Sequence, residues 1–201
     1  MSIILGIDPG TVVMGYALLK VHENKMSLLH MDVLKMSCEQ DTYERLEQIH
    51  HTISKVIVQY CPTDFAIEAP FFGKNVQSML KLGRAQGVAI AVAMTHHLPV
   101  TEYSPRKIKQ SVTGNGNAAK EQVWKMMELT LKIQETPRYL DASDALAVAM
   151  CHYYQQHSFV AEGVSKKAKG WADFLQQHPG RAVVNPQSAV NSRQSTAKSN
   201  L

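Results

Sequence analysis

The sequence predicts a mixed α/β fold in which a five-stranded sheet is flanked by helices. Two observations lead to this prediction. Short apolar runs rich in β-branched residues recur along the chain, and between them apolar residues repeat at helical spacing. In order, the segments predict three strands, a helix, a strand, a helix, a strand and three final helices, which is typical of layered α/β proteins.

The amino-terminal segment predicts three consecutive strands. Residues 3–7 form a nearly unbroken apolar run, typical of a buried central strand, and residues 8–10 (Asp-Pro-Gly) predict the turn that closes it. Residues 12–21 predict a second strand. The polar stretch 22–25 then predicts a hairpin turn into a third strand over 26–35.

The rest of the chain alternates between helical and strand patterns. Residues 42–60 predict a helix because their apolar positions recur at intervals of three and four, and Pro62 follows its end. The remaining predicted elements are a strand over 64–68, a helix over 76–96, a strand over 98–103 and helices over 105–112, 118–133 and 141–156.

One face of the predicted helix over 76–96 carries small side chains. Gly83, Gly87 and Ala91 are spaced four residues apart, which places them on the same side of a helix. Such a face allows another helix to approach closely. We expect packing within the fold, with a dimer contact as the alternative.

Composition excludes several classes of protein. The 201 residues are 45% hydrophobic and 19% charged, which is ordinary for a globular protein. No apolar run is longer than that of residues 88–94, which is too short to cross a bilayer. Three cysteines without paired spacing fit neither a disulfide framework nor a zinc site. We therefore expect a soluble protein of a reducing, cytoplasmic compartment without a membrane segment.

Charge and pattern divide the chain in two. Residues 158–201 lose periodicity, are rich in Ser, Asn and Gln, and carry a net charge of +4, so we expect a basic and largely flexible tail after a domain formed by residues 1–157. Within that domain, residues 81–132 hold eight basic and three acidic side chains. This segment could bind a polyanion, although a solvated lysine-rich helix face is the more common explanation.

Four acidic residues occupy unusual positions. Asp8 and Glu68 each end a predicted buried strand, and Asp141 and Asp144 lie three residues apart at the start of the last helix. Asp8 could serve only its turn, Asp141 could be a helix N-cap, and Asp144 could complement the helix dipole. Glu68 is the hardest to explain in this way, since an unpaired buried carboxylate is costly.

Together these carboxylates have a second explanation. Two strand ends and one helix crossing the sheet can form a single acidic cluster, which is stable only with cations. Oxygen ligands without His or Cys favour Mg²⁺ or Mn²⁺, and a carboxylate site holding two such ions suits hydrolysis of a phosphodiester. The residues alone leave both explanations open.

Five separated motifs add a resemblance to a known family. They are Gly6-Ile7-Asp8-Pro9-Gly10-Thr11, Ile67-Glu68, Phe72-Gly73-Lys74-Asn75, Lys81-Leu82-Gly83-Arg84-Ala85-Gln86-Gly87 and Asp141-Ala142-Ser143-Asp144-Ala145-Leu146-Ala147. In order and spacing they resemble the RuvC family of Holliday-junction resolvases over roughly residues 1–156.

The resemblance implies a ribonuclease H-like nuclease domain that acts as a homodimer. It implies paired symmetric nicks in four-way junction DNA during recombination and repair, with the RuvA–RuvB branch-migration complex as partner. The implied catalytic and metal-binding residues are Asp8, Glu68, Asp141 and Asp144, with two Mg²⁺ ions per active site and Mn²⁺ as a possible substitute.

The resemblance also implies residues that contact DNA. Phe71 matches an aromatic residue that stacks on unpaired bases, and Phe72 competes for that role from the next position. Two lysines near the scissile phosphate match Lys109 and Lys120. Lys74 and Arg84, which lie within the matching motifs, are expected DNA contacts as well. The chain departs from many relatives around Val12, where they often carry a basic residue.

Three other functions are alternatives to this one. Gly-Ile-Asp-x-Gly-Thr also opens the phosphate loop of actin-like ATPases and sugar kinases, but the chain has no further Asp-x-Gly motif for a second phosphate loop. A junction-binding scaffold without activity has no use for four acids that repel DNA. A relative that cuts RNA–DNA hybrids or flaps would share the same carboxylates, and this alternative stays open.

Overall fold

A computed structural model describes residues 1–70, 75–134 and 139–161, with only the backbone of residues 158–161. The order of strands and helices is the predicted one. The elements are β1 (Ser2–Asp8), β2 (Val13–His22), β3 (Lys25–Lys35), α1 (Thr42–Tyr60), β4 (Asp64–Glu68), α2 (Val76–Thr95), β5 (Val100–Tyr103), α3 (Pro105–Thr113), α4 (Lys120–Leu131) and α5 (Leu140–Ala161).

The five strands form one mixed sheet in the order β3-β2-β1-β4-β5. The first three strands are antiparallel neighbours, and β1, β4 and β5 run parallel. Because β1 and β4 are parallel and pair Ile7 with Ile67, Asp8 and Glu68 end neighbouring strands at the same edge of the sheet. On the other side of β1, Asp8 lies opposite Gly15 of β2.

Side chains of each strand alternate between two cores, one on each face of the sheet. Leu5 and Ile7 of β1 pack with α1 and α2, in a cluster that includes Ile49 and Ala89. Ile4, on the opposite face, packs in the cluster that contains residues of α3, α4 and α5. Asp8 therefore points to the same face as Ile4, toward α5.

Helix α5 lies in the core rather than on the surface. From Ala145 to Cys151 every side chain is at most 2% exposed, and small residues alternate with larger ones such as Leu146 and Met150. A helix that is apolar all round is typical of a buried position. The helix begins at Leu140, one residue before the predicted start, so Asp141 lies inside the first turn and is not its N-cap. It extends to Ala161, the last described residue, and so continues beyond the predicted end at 156.

The expectation for the small face of α2 is wrong. Gly83, Gly87 and Ala91 are exposed, and a Cβ placed on either glycine would meet no described atom within 4 Å apart from the neighbouring backbone of α2 itself. The helix instead buries the opposite side, where Ala85, Ala89 and other residues pack on the sheet. Periodicity locates such a face but does not say which side of the helix the core occupies.

Over the part of the chain described here, none of the helices combines the length and the apolar character needed to cross a membrane. Residues Met1–Val160 form one compact unit. The predicted tail stays a prediction, since residues 162–201 lie outside the described ranges.

Candidate active site

Three of the predicted carboxylates converge at the edge of the sheet. Asp8, Asp141 and Asp144 each offer one ligand oxygen, and these atoms all lie within 4.8 Å of one another. Asp8 comes from the end of β1, whereas Asp141 and Asp144 come from the first turns of α5. The spacing of three residues puts both aspartates on the side of the helix that faces the strand end.

Glu68, the fourth predicted carboxylate, lies in the same cleft. The cleft is bounded by side chains of β1, β4, α3, α4 and α5, and its lining includes Asp8, Glu68, Asp144, Lys109 and Lys120. Glu68 is outside the tight group of three, but the negative charge of Asp144 is close enough to act on it. All four residues singled out in the sequence are thus brought to one site.

Burial and mutual repulsion disfavour the charged form of two of these groups. Burial first, and then the charges of Glu68, Asp144 and Asp141, raise the pKa of Asp8 from 3.8 to about 8. Burial and the charge of Asp144 raise the pKa of Glu68 from 4.5 to about 7. Near neutral pH, these carboxyl groups can all be ionised only if additional positive charge compensates them.

The oxygen donors fit a divalent cation. A hard cation such as Mg²⁺ or Mn²⁺ prefers carboxylate oxygens, and the cleft supplies these from three separate elements without a His or Cys in the group. A bound cation would stabilise the ionised carboxylates and so oppose both the burial and the repulsion that raise the pKa values of Asp8 and Glu68.

Two lysines line the same cleft as the carboxylates. Lys120, the first residue of α4, donates a hydrogen bond from Nζ to Asp144 Oδ2 at 2.5 Å, and this bond raises the pKa of Lys120. Lys109 of α3 lies near enough for its charge to oppose the rise in the pKa of Glu68. Helix α3 is fixed at its start by Ser104, whose hydroxyl accepts from the backbone N–H of Lys107.

Of the other predicted DNA contacts, Arg84 is the one that lies among the described residues. Arg84 is exposed on α2 and is not among the described residues that line the cleft. Phe71, Phe72 and Lys74 lie outside the described residues, so their predicted roles stay predictions.

An arginine that no sequence pattern singles out supports the turn after Asp8. Arg45 Nη1 donates a hydrogen bond to the carbonyl of Thr11 at 3.1 Å, and its Nε donates to the carbonyl of Asp41 at 3.2 Å. The side chain thereby joins the start of α1 to the loop that follows Asp8. No local pattern could have indicated this contact, because the partners are 34 residues apart.

A buried polar network, which no sequence pattern singles out either, ties α5 to the sheet below the cleft. His152 Nδ1 lies 2.9 Å from the hydroxyl of Tyr103, and its Nε2 lies 3.5 Å from Asp64 Oδ1. Burial lowers the pKa of His152. Gln156 donates to Asp64 Oδ1 at 3.1 Å, so that α5 is held to both β4 and β5.

Comparisons with known proteins show the family to which this chain is similar. The profile of the family described as "Crossover junction endodeoxyribonuclease RuvC" matches residues 4–152. A relative of that name from Christiangramia forsetii is 51% identical over 177 residues, covering 88% of this chain and 91% of the relative. Another from Cytophaga hutchinsonii is 51% identical over 185 residues, covering 92% of this chain and 90% of the relative.

Solved structures show the same fold. Thermus thermophilus RuvC in complex with a Holliday junction substrate is 33% identical, with a TM-score of 0.75, covering 79% of this chain and 97% of that chain. The yeast mitochondrial Holliday junction resolvase Ydc2, at 14% identity and a TM-score of 0.58, shares the fold over 79% of this chain and 82% of its own. The chain has a ribonuclease H-like fold and belongs to the RuvC family of crossover junction endodeoxyribonucleases.

Proposed function

We propose that this protein is a Holliday-junction resolvase that makes paired, symmetric nicks in four-way DNA junctions during recombination and repair. The observation that carries the proposal is the convergence of Asp8, Asp141 and Asp144 in a cleft that also contains Glu68 and two lysines. A member of the same family binds a Holliday junction substrate in its solved structure, which supports the choice of DNA.

The four carboxylates would hold two Mg²⁺ ions, with Mn²⁺ as a substitute. When bound, such ions supply an activated water and stabilise the leaving oxygen of an in-line phosphodiester hydrolysis. The role of the protein is to position the carboxylate oxygens that would bind these ions. Asp8 and Glu68 are fixed by neighbouring strands, and Asp141 and Asp144 by a buried helix. Rigid elements of this kind hold a site more accurately than loops do.

Lys109 and Lys120 would act on the phosphate. Both lysines line a cleft whose other charged groups are carboxylates. Their positive charge would allow a phosphate of the DNA backbone to approach these carboxylates. Fixed positive groups next to the reacting phosphorus stabilise the charge that develops on its oxygens. Arg84, outside the cleft, and Lys74 would also contact the junction, and Phe71 or Phe72 would stack on its unpaired bases.

The exposed apolar face of α2 supports a homodimer. Val76, Leu80 and Met94 are 67%, 56% and 63% exposed, and they lie on the same side of the helix as the two exposed glycines. A second copy of this chain would cover these side chains by packing helix against helix. A two-fold dimer presents two sites to two strands of like polarity, which paired nicking requires. By resemblance, the RuvA–RuvB complex would deliver the junction.

Cleavage of three nucleic-acid substrates in the presence of Mg²⁺ tests the proposal. We expect symmetric cleavage of a synthetic four-way junction and little cleavage of linear duplex or of an RNA–DNA hybrid of the same sequence. Preferential cleavage of the hybrid would overturn the proposal in favour of a nuclease with another substrate. Cleavage of no substrate under conditions in which the junction binds would count against nuclease activity itself.

An Asp8→Asn variant assigns the activity to the cleft. The change keeps the side chain's size and removes its charge. We expect cleavage to be lost while junction binding is kept, since Asp8 would serve chemistry rather than DNA affinity. Glu47→Gln, which removes an exposed carboxylate of α1, is the matched control and should cleave as the unchanged protein does.

A further inference from the structure

We propose that Gly15, together with Gly6, is a positioning residue that sets the distance between α5 and the sheet. That distance fixes how closely Asp141 and Asp144 approach Asp8. The inference rests on the proposed metal-dependent function of the cleft, and it assigns a role to two residues that carry no functional group.

Gly15 lies directly beneath the start of α5. A Cβ built on Gly15 would be 2.0 Å from the carbonyl oxygen of Asp141 and 2.6 Å from its carbonyl carbon. In the sheet, Gly15 is the residue paired with Asp8. One glycine therefore touches the backbone of one carboxylate residue while it pairs with another.

Gly6 makes the equivalent contact about one helical turn further along α5. Its Cβ would be 2.3 Å from the carbonyl oxygen of Ala145 and 2.8 Å from the backbone nitrogen of Ala149. Asp144 lies between these two points of contact. The helix thus rests on the backbone of two adjacent strands on either side of the residue whose carboxylate it delivers.

Neither contact can be relieved by a local change. The atoms that a Cβ would meet belong mainly to the helix backbone rather than to the end of a flexible side chain. Real Cβ atoms essentially never come closer than 3.0 Å to another heavy atom, so an alanine at position 15 requires strand and helix to separate by about 1 Å. Asp8 would stay with the sheet, and Asp141 would move with the helix.

A separation of this size matters for metal binding. Ligand groups must be held within about 0.5 Å of the productive geometry, and a displacement of about 1 Å can lower a rate by about 100-fold. The group of Asp8, Asp141 and Asp144 draws its oxygens from both sides of the contact. Its ability to hold a cation therefore depends on the absence of a side chain at position 15.

The first test measures Mn²⁺ binding without DNA, by electron paramagnetic resonance on the full chain. We expect Gly15→Ala to weaken Mn²⁺ binding by about 10-fold or more, the usual loss of metal affinity when the groups that orient the ligands are disturbed. Leu19→Ala is the control, because it opens a cavity on the same strand and face without pushing α5 outward. At a temperature at which both variants are folded by circular dichroism, Leu19→Ala should bind Mn²⁺ as the unchanged protein does.

The second test is a rescue. Asp141→Glu adds one methylene to the side chain, so it should weaken Mn²⁺ binding in the unchanged protein but strengthen it in the Gly15→Ala background. A simple loss of stability predicts no such reversal, because it would make the two changes additive or worse.

Each outcome decides between explanations. Unchanged Mn²⁺ affinity in folded Gly15→Ala, or additive effects in the double variant, would overturn the inference and leave the proposed function standing. Absence of Mn²⁺ binding by the unchanged protein would overturn both. Should Gly15→Ala not fold, the same pair of tests is made with Gly6→Ala and Asp144→Glu, where the overlap is smaller. Failure of both glycine variants to fold would show that these contacts serve the fold alone.

Discussion

Lys120 Nζ lies 2.5 Å from Asp144 Oδ2, so a lysine of α4 and an aspartate of α5 form an ion pair within the acidic cleft. The Lys120 side chain is 60% exposed, and that of Asp144 is 24% exposed. The positive charge of Lys120 also opposes the rise in the pKa of Asp8 and of Glu68. This lysine therefore partly balances the cluster and remains accessible to a phosphate.

We expect Lys120→Met to slow cleavage of a four-way junction by roughly 100-fold, the usual effect of losing one charge-stabilising donor. Junction affinity should change only a few-fold, because a single phosphate contact contributes little to the total. Single-turnover cleavage with protein in excess separates the two quantities, since it removes binding from the measured rate.

Lys125→Met is the matched control for Lys120. Lys125 lies on the same helix and forms an exposed ion pair with Glu128 at 2.6 Å, away from the cleft. Its loss should alter the single-turnover rate by about twofold or less, as for ordinary surface positions. Equal slowing in both variants would mean that the general charge of α4, rather than the place of Lys120, determines the rate.

The metal-free protein should lose stability as the pH rises from about 5 to about 8. Asp8 and Glu68 hold their protons in the folded state up to pKa values of about 8 and about 7, but release them near 3.8 and 4.5 when unfolded. The folded state thus binds more protons than the unfolded state in this interval. The contribution of these two groups to stability is therefore complete at low pH and is lost as the pH rises through their folded pKa values. Thermal melting in EDTA across this range measures the decline.

Saturating Mg²⁺ should reduce that pH dependence. Cation binding requires ionised carboxylates, so protons should be released on binding below pH 8. Titration calorimetry in two buffers with different ionisation enthalpies measures this release. Binding without proton release at about pH 6.5 would contradict the assignment of Asp8 as a ligand.

Asp8→Asn should stabilise the metal-free protein at about pH 8, because it removes a buried charge and its repulsion with Glu68. We expect the melting temperature to rise by roughly 2–8 °C in EDTA, and little change at about pH 5. His152 titrates in the opposite sense, but it contributes equally to both proteins, so their difference isolates Asp8. Equal melting temperatures of the variant and the unchanged protein at about pH 8 would show that burial and neighbouring charges do not destabilise ionised Asp8.

Local pattern predicted much of this molecule. Apolar runs and helical periodicity located every strand and helix in the described part of the chain. Asp8 and Glu68 were noticed because each is an acidic residue at the end of an apolar strand. These features depend on neighbours in sequence. Asp8 and Glu68 meet because β1 and β4 are parallel neighbours, and Asp141 and Asp144 join them because α5 packs on the sheet; the positions of the elements along the chain specify neither arrangement.

Contacts between segments that are distant in the chain could not be predicted from local sequence patterns. The contact of Gly15 with Asp141 and the hydrogen bond of Arg45 to Thr11 depend on how the helices lie on the sheet. The same limit explains the wrong expectation for α2. Its glycines mark a face on the helix, but only the packed structure shows that this face points outward.

That exposed face leads to a prediction about assembly. Leu80→Glu places a charge among the exposed side chains of α2, where a second copy would have to bury it at high cost. We expect the variant to sediment as a monomer and to give single nicks in place of paired ones, while the fold is kept because Leu80 is 56% exposed. Val58→Glu, at a 67% exposed apolar position of α1, is the control and should leave the dimer intact. A dimer that persists in Leu80→Glu would place the interface elsewhere, and loss of the dimer in both variants would mean that added charge alone prevents association.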